Sequence, residues 1–117
     1  MDGKEIAFFA AQVLDQKKAT DVIIIDIGAK SSFADYFVMA TGRSERQVGT
    51  LCGEVEDKLA EKGMIVKNIE GKQSSGWMLM DYGDIIINLM SAEARERYNI
   101  EKVWGDCDIL TLEEQNE

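Results

Sequence analysis

The sequence predicts an α/β (α+β) fold: a single domain with one mixed five-stranded sheet flanked by helices, in the order αββαβββα. Three observations lead there. Two amphipathic stretches each open on capping-box residues. The run Val22 to Ile25 is apolar without interruption, as in strands covered on both faces. Two aliphatic segments meet at Tyr82-Gly83, which has the chemistry of a tight turn. A length of 117 residues suits one domain with a real core.

The elements follow in order. Asp2-Gly3-Lys4-Glu5 places an N-cap acid three residues before a glutamate. Ile6, Phe9, Ala10, Val13 and Leu14 then recur at helical spacing, so a first helix runs to about Lys18. Asp21 to Ile27 reads as the first strand, Gly28 to Ala34 as a loop, and Tyr36 to Ala40 as the second strand. Ser44 and Gln47 form the next capping box. Val48, Leu51, Cys52, Val55 and Leu59 make one apolar stripe, and Gly63 supplies a left-handed stop. Met64 to Ile69 is expected as a third strand, Gly71 to Gly76 as a polar turn, Trp77 to Asp81 and Asp84 to Met90 as the fourth and fifth. Ser91 caps a short helix, with Glu93 at its positive end. Tyr98 to Trp104 reads as a helical or turn segment. The domain is expected to span residues 1–106. Residues 107–117 form an acidic tail expected to fray at its end.

Composition excludes several classes of chemistry. There is no histidine, so no Ser-His-Asp triad, Cys-His pair or histidine-bound metal can form. Cys52 and Cys107 are too few and too far apart for a disulfide framework, and two free thiols suit the cytosol. No apolar run is long enough to span a bilayer, and the first residues do not resemble a signal or transit peptide. The net charge is −9. Such a field does not favour nucleic acid, whose binding relies on Lys and Arg against phosphates. It favours a basic partner, and many of those in a cytosol are RNA-binding proteins.

Each candidate for chemistry has a plainer alternative. Gly42-Arg43-Ser44 joins a strand to a helix start, a geometry that binds anions and that looks like the Gly-Ser signature of nucleotidyltransferases. It also reads as a turn and a cap. The nearest downstream acids two positions apart, Glu54 and Glu56, lie on one helix, where that spacing rotates a side chain by about 200°. They diverge and cannot share a metal ion. Asp81 and Asp84 could hold a divalent cation, but Asp and Gly are also what a tight turn requires. Glu93 and Glu96 read as an exposed acidic face. Cys52 belongs to the apolar stripe, and acids beside Cys107 disfavour its thiolate. The catalytic and metal sets are therefore empty, and no cofactor is expected.

The aromatic residues carry more. Trp77, Tyr82, Tyr98 and Trp104 all lie in the last 41 positions of the chain. Alternation on the fourth strand puts Trp77, Leu79 and Asp81 on one face, and Met78, Met80 and Tyr82 on the other. Both faces are largely apolar, so one packs on helices and the other is either covered or offered to a partner.

Three blocks resemble a known family. Asp35-Tyr36-Phe37-Val38-Met39-Ala40-Thr41-Gly42 is similar to the signature strand of the Iojap family of ribosomal silencing factors. Trp77-Met78-Leu79-Met80-Asp81-Tyr82-Gly83-Asp84-Ile85-Ile86-Ile87 resembles its strand-turn-strand, and Tyr98-Asn99-Ile100-Glu101-Lys102-Val103-Trp104-Gly105-Asp106 its C-terminal aromatic segment. The blocks stand in the family's order over about residues 2–106. Asn88 replaces the family's usual histidine, and Arg97 stands where an apolar or aromatic residue is common.

The resemblance implies a topology related to nucleotidyltransferases without their catalytic carboxylates, and a function that is not enzymatic. Family members dock on protein fourteen of the large ribosomal subunit and block joining of the small subunit, so lowering translation. It further implies a possible homodimer, while the acidic balance fits a lack of direct RNA binding, and the missing apolar run and free thiols fit no membrane and a cytoplasmic location. The expected docking residues here are Trp77, Leu79, Asp81, Tyr82, Asp84, Tyr98 and Trp104. The aromatics would be anchors and the acids would meet Lys or Arg. Two other readings stay open: a small magnesium-dependent nucleotidyltransferase using Gly42 and Ser44, and an acidic interaction domain with another basic partner.

Overall fold

Asp2 opens the first helix, α1 (Gly3–Gln16), through the expected capping box: its carboxylate accepts from Glu5 N at 2.8 Å, and Glu5 Oε1 accepts from Asp2 N at 3.3 Å. The structure, a computed structural model, describes residues 1–112. Strands β1 (Thr20–Asp26) and β2 (Tyr36–Gly42) lead to α2 (Glu45–Glu61), then β3 (Asn68–Lys72), a 3₁₀ turn (Gln73–Ser75), β4 (Trp77–Asp81) and β5 (Ile85–Ser91). Two short helices, α3 (Ala92–Tyr98) and α4 (Ile100–Val103), precede β6 (Asp108–Leu110).

The strands form one mixed sheet in the order β3-β4-β5-β2-β1-β6. Only β2 and β5 run parallel; the other pairs are antiparallel. The parallel pair is central and the most completely buried, because its crossover places α2 against the sheet. The larger core lies on that side. Leu14 of α1 and Leu51, Val55 and Leu59 of α2 meet Ile24, Val38, Ile87, Leu89 and Met80 there. Removing one such side chain to alanine costs about 2–5 kcal/mol. The opposite face carries a smaller core of Ile25, Phe37, Met39, Met90 and Ala94, covered by the short α3–α4 segment.

The sheet has six strands, not five. Asp108–Leu110, in the segment expected to be tail, pairs with β1 through Ile24, Ile25 and Asp26. Three residues among acids show no strand pattern; the free edge of β1 supplies the reason for pairing. The fraying expected at the end of the tail falls on residues 113–117, outside those described. The third strand starts at Asn68 instead of Met64. Met64 N donates to Leu59 O at 2.9 Å, which holds this stretch on the end of α2. The strand then runs through Gly71, expected in the turn. Gly71 has φ +87°, and any Cβ there would strike the backbone oxygen of Trp77. The second capping box is also altered. Ser44 Oγ accepts from Gln47 N at 3.1 Å, but the Gln47 side chain accepts from Arg43 N rather than closing on Ser44.

Candidate protein-docking surface

Strand β4 divides as its alternation predicts. Met78 and Met80 turn to the larger core, while Trp77 packs on the smaller one. Trp77 is half-buried, and its Nε1 donates to Asn88 Oδ1 on β5 at 3.0 Å. The ring of Tyr98 lies 4.8 Å from the indole, tilted by 41°. Tyr98 is still 50% exposed. Leu79, half-buried, sits between Glu70 on β3 and Asn88 on β5 in the ladder. Trp104 stands further along the same face, edge-on to Phe37 at 5.5 Å, with the exposed Phe33 at 6.2 Å. Trp77, Leu79, Tyr98 and Trp104 are thus gathered on the sheet face away from α1 and α2.

The segment carrying Tyr98 and Trp104 is held by a residue that sequence reasoning missed. Ser91 Oγ accepts from Ala94 N at 3.2 Å and starts α3; Asn99, at φ +44°, ends it. Between them, Arg95 reaches three elements. Its Nε donates to Glu101 Oε1 at 2.9 Å, and its NH1 donates to Asp21 O at 2.6 Å and Thr41 Oγ1 at 2.9 Å. Asp21 itself has φ +49°, at the irregularity where β1 shifts register against β2. No spacing rule links positions 21, 41, 95 and 101; only the fold brings them together.

Tyr82 does not join this surface. It is 6% exposed and packs in the larger core, on the face it shares with Met78 and Met80. Burial, then the charges of Glu56 and Cys52, push its hydroxyl up to about 12. Among the described residues its hydroxyl has no hydrogen-bond partner. Asp81 and Asp84 serve the turn. Asp81 Oδ1 accepts from Gly83 N at 2.8 Å, and the backbone oxygen of Asp84 accepts from Asp35 N and Tyr36 N. The exposed Asp84 carboxylate remains at the rim. Asn88, the departure from the family pattern, lies under the surface at 1% exposure. Arg97, the other departure, is exposed.

The candidates for chemistry serve the fold. A Cβ on Gly42 would press on Val48, so this glycine lets α2 approach the strand. The Ser44 hydroxyl caps α2. Glu54 pairs with Lys17 at 3.5 Å, whereas Glu56 lies near Cys52 and Tyr82. Burial, then Glu56, raises the Cys52 thiol, which disfavours its thiolate. Among the described residues no group of three acids or thiols could hold a metal ion, and no helix is long and apolar enough to cross a membrane.

A small mixed sheet flanked by helices, with packed aromatics on one face, defines a single domain of the α/β class. The chain belongs to the family described as ribosomal silencing factor during starvation, whose model matches residues 2–117. It is 36% identical over 113 residues to the ribosomal silencing factor RsfS of Bacillus subtilis, covering 97% of this chain and 96% of that one. A crystal structure of a Chromobacterium violaceum protein superposes with a TM-score of 0.86 at 36% identity, over 90% of this chain and 88% of that one. The mouse protein named mitochondrial assembly of ribosomal large subunit protein 1 is 32% identical over 95 residues, which are 79% of this chain and 42% of the mouse protein.

Proposed function

We propose that this silencing factor acts without catalysis. It docks in the cytosol on protein fourteen of the large ribosomal subunit and sterically prevents the small subunit from joining. The observation that carries the reading is the Trp77–Tyr98 pair: two aromatic rings 4.8 Å apart, on a sheet face away from both long helices, one of them half exposed. Interface centres are enriched in such side chains. The net charge of −9 suits a basic ribosomal protein and opposes direct contact with RNA. The name of the mouse relative points to the large subunit as well. In this reading Trp77, Leu79, Tyr98 and Trp104 are the apolar contacts, and Asp81 and Asp84 lie at the rim. Tyr82 supports the surface only from within the core. A homodimer through the same face would be a storage form that cannot dock.

The experiment is co-sedimentation of the purified protein with isolated large subunits, small subunits and joined ribosomes. Selective pelleting with free large subunits is the expected result. Absence of pelleting at low salt, where charge attraction is strongest, would exclude the docking reading.

A further inference from the structure

Beside Trp77 the sheet forms a recess of about 260 Å³, lined by Glu70, Gly71, Ser75, Trp77 and Leu79. This is smaller than the roughly 300–1,000 Å³ of small-molecule pockets, so it suits one side chain rather than a cofactor. Its walls are mainly apolar. Gly71 contributes no side chain, and its positive φ together with the nearby Trp77 backbone keeps it a glycine. The Ser75 hydroxyl is turned to the chain itself, 2.7 Å from Lys72 O and 3.2 Å from Trp77 O.

The recess holds one charge. Glu70 stands directly opposite Leu79, and its Oε1 accepts from Asn68 Nδ2 at 3.1 Å. Among the described residues no Lys or Arg forms an ion pair with it. Lys72, two positions on and opposite Trp77, does not line the recess.

We propose that this recess is a subsite for one arginine side chain of the partner protein, its stem against Trp77 and Leu79 and its guanidinium on Glu70. The proposal rests on the docking reading above and names the chemistry of one contact within it. An apolar side chain would cover Glu70 without pairing its charge. An ammonium would pair, but it is more strongly hydrated and cannot stack. A guanidinium is planar, stacks on indole and presents parallel N–H donors to a carboxylate.

The test compares binding to purified large ribosomal subunits at several salt concentrations. Glu70→Gln should weaken binding about tenfold and flatten its salt dependence. Lys72→Gln, which removes a nearby like charge, should leave affinity equal or higher. Thermal unfolding of each variant separates binding from folding. Wild-type affinity and salt dependence in a folded Glu70→Gln variant overturn the subsite. So does a dimer of this chain that Glu70→Gln dissolves while subunit affinity stays unchanged. Failure of the wild type to bind subunits would instead overturn the docking reading. The subsite is then decided by nuclear magnetic resonance of the Trp77 indole N–H with N-acetylarginine amide. A saturable shift, absent with N-acetylnorleucine amide and lost in Glu70→Gln, supports it; no saturable shift overturns it.

Discussion

The indole of Trp77 is tied to Asn88: Nε1 donates to Oδ1 at 3.0 Å across the β4–β5 ladder. Asn88 is buried, and among the described residues its Nδ2 has no partner. One amide therefore orients the ring expected to anchor a partner. Asn88→Leu should remove the acceptor and cost about 1 kcal/mol, the lost bond being partly offset by loss of the unpaired donor. Asn88→His should keep an acceptor. Nuclear magnetic resonance of the indole N–H reads the difference: the leucine variant moves the Trp77 signal and the histidine variant retains hydrogen-bonded character. An unchanged signal in Asn88→Leu would count against this orienting role.

Arg95 is the clamp of the α3–α4 segment. Its side chain is 11% exposed and that of Glu101 31%. Removing a largely buried charge partner leaves the other charge poorly compensated, so Arg95→Met should cost about 2–3 kcal/mol in urea denaturation. Glu101→Gln keeps a hydrogen-bond acceptor and should cost less. The near-ultraviolet circular dichroism of the aromatics should weaken in Arg95→Met, because Tyr98 follows the arginine on α3. An Arg95→Met variant with unchanged aromatic dichroism and stability contradicts the clamp.

Tyr82 gives the chain an alkaline limit. Its hydroxyl is raised from 10.0 to about 12 in the fold. The unfolded tyrosine loses its proton first, so stability is complete below pH 10 and declines as pH rises towards 12. The loss should approach about 3 kcal/mol once both states are ionised. Tyr82→Phe removes an unpartnered hydroxyl along with the ionisation. It should match or exceed the wild type at neutral pH and lose less stability in this window. Equal alkaline losses in both proteins would remove Tyr82 as the cause.

Tyr98 and Trp104 should separate binding from stability. Tyr98 is half exposed, and Tyr98→Ala should change stability by less than about 1 kcal/mol while weakening large-subunit binding at least about tenfold. Trp104 packs edge-on to Phe37, so Trp104→Ala should lose stability together with about 2 kcal/mol of binding. Retained affinity in a folded Tyr98→Ala variant would place the contact elsewhere.

Both long helices were legible because capping residues and apolar spacing act locally. Tyr36–Gly42 and Ile85–Ser91 were legible as strands because both are largely apolar, but nothing in either segment announced that the two pair in parallel. The alternation of β4 already set Tyr82 beside Met78 and Met80; grouping it with the docking residues ignored that parity. Strand β6 carries no local signal and exists through the free edge of β1. Gly71 looked like a turn because a strand glycine made necessary by a neighbouring backbone has the same letter as a turn glycine. The Trp77–Asn88 bond and the Arg95 contacts depend on sheet order, which periodicity does not encode.

A protein seated on the joining face of the large subunit keeps the small subunit off. The direct measurement is light scattering of small and large ribosomal subunits mixed at joining magnesium concentration. The protein is added either to the large subunits beforehand or to ribosomes already joined. Fewer joined ribosomes are expected when the protein is present first, with little effect on those already formed, and the first effect should be lost in Tyr98→Ala. Normal joining with large subunits saturated by bound protein would contradict this block on joining.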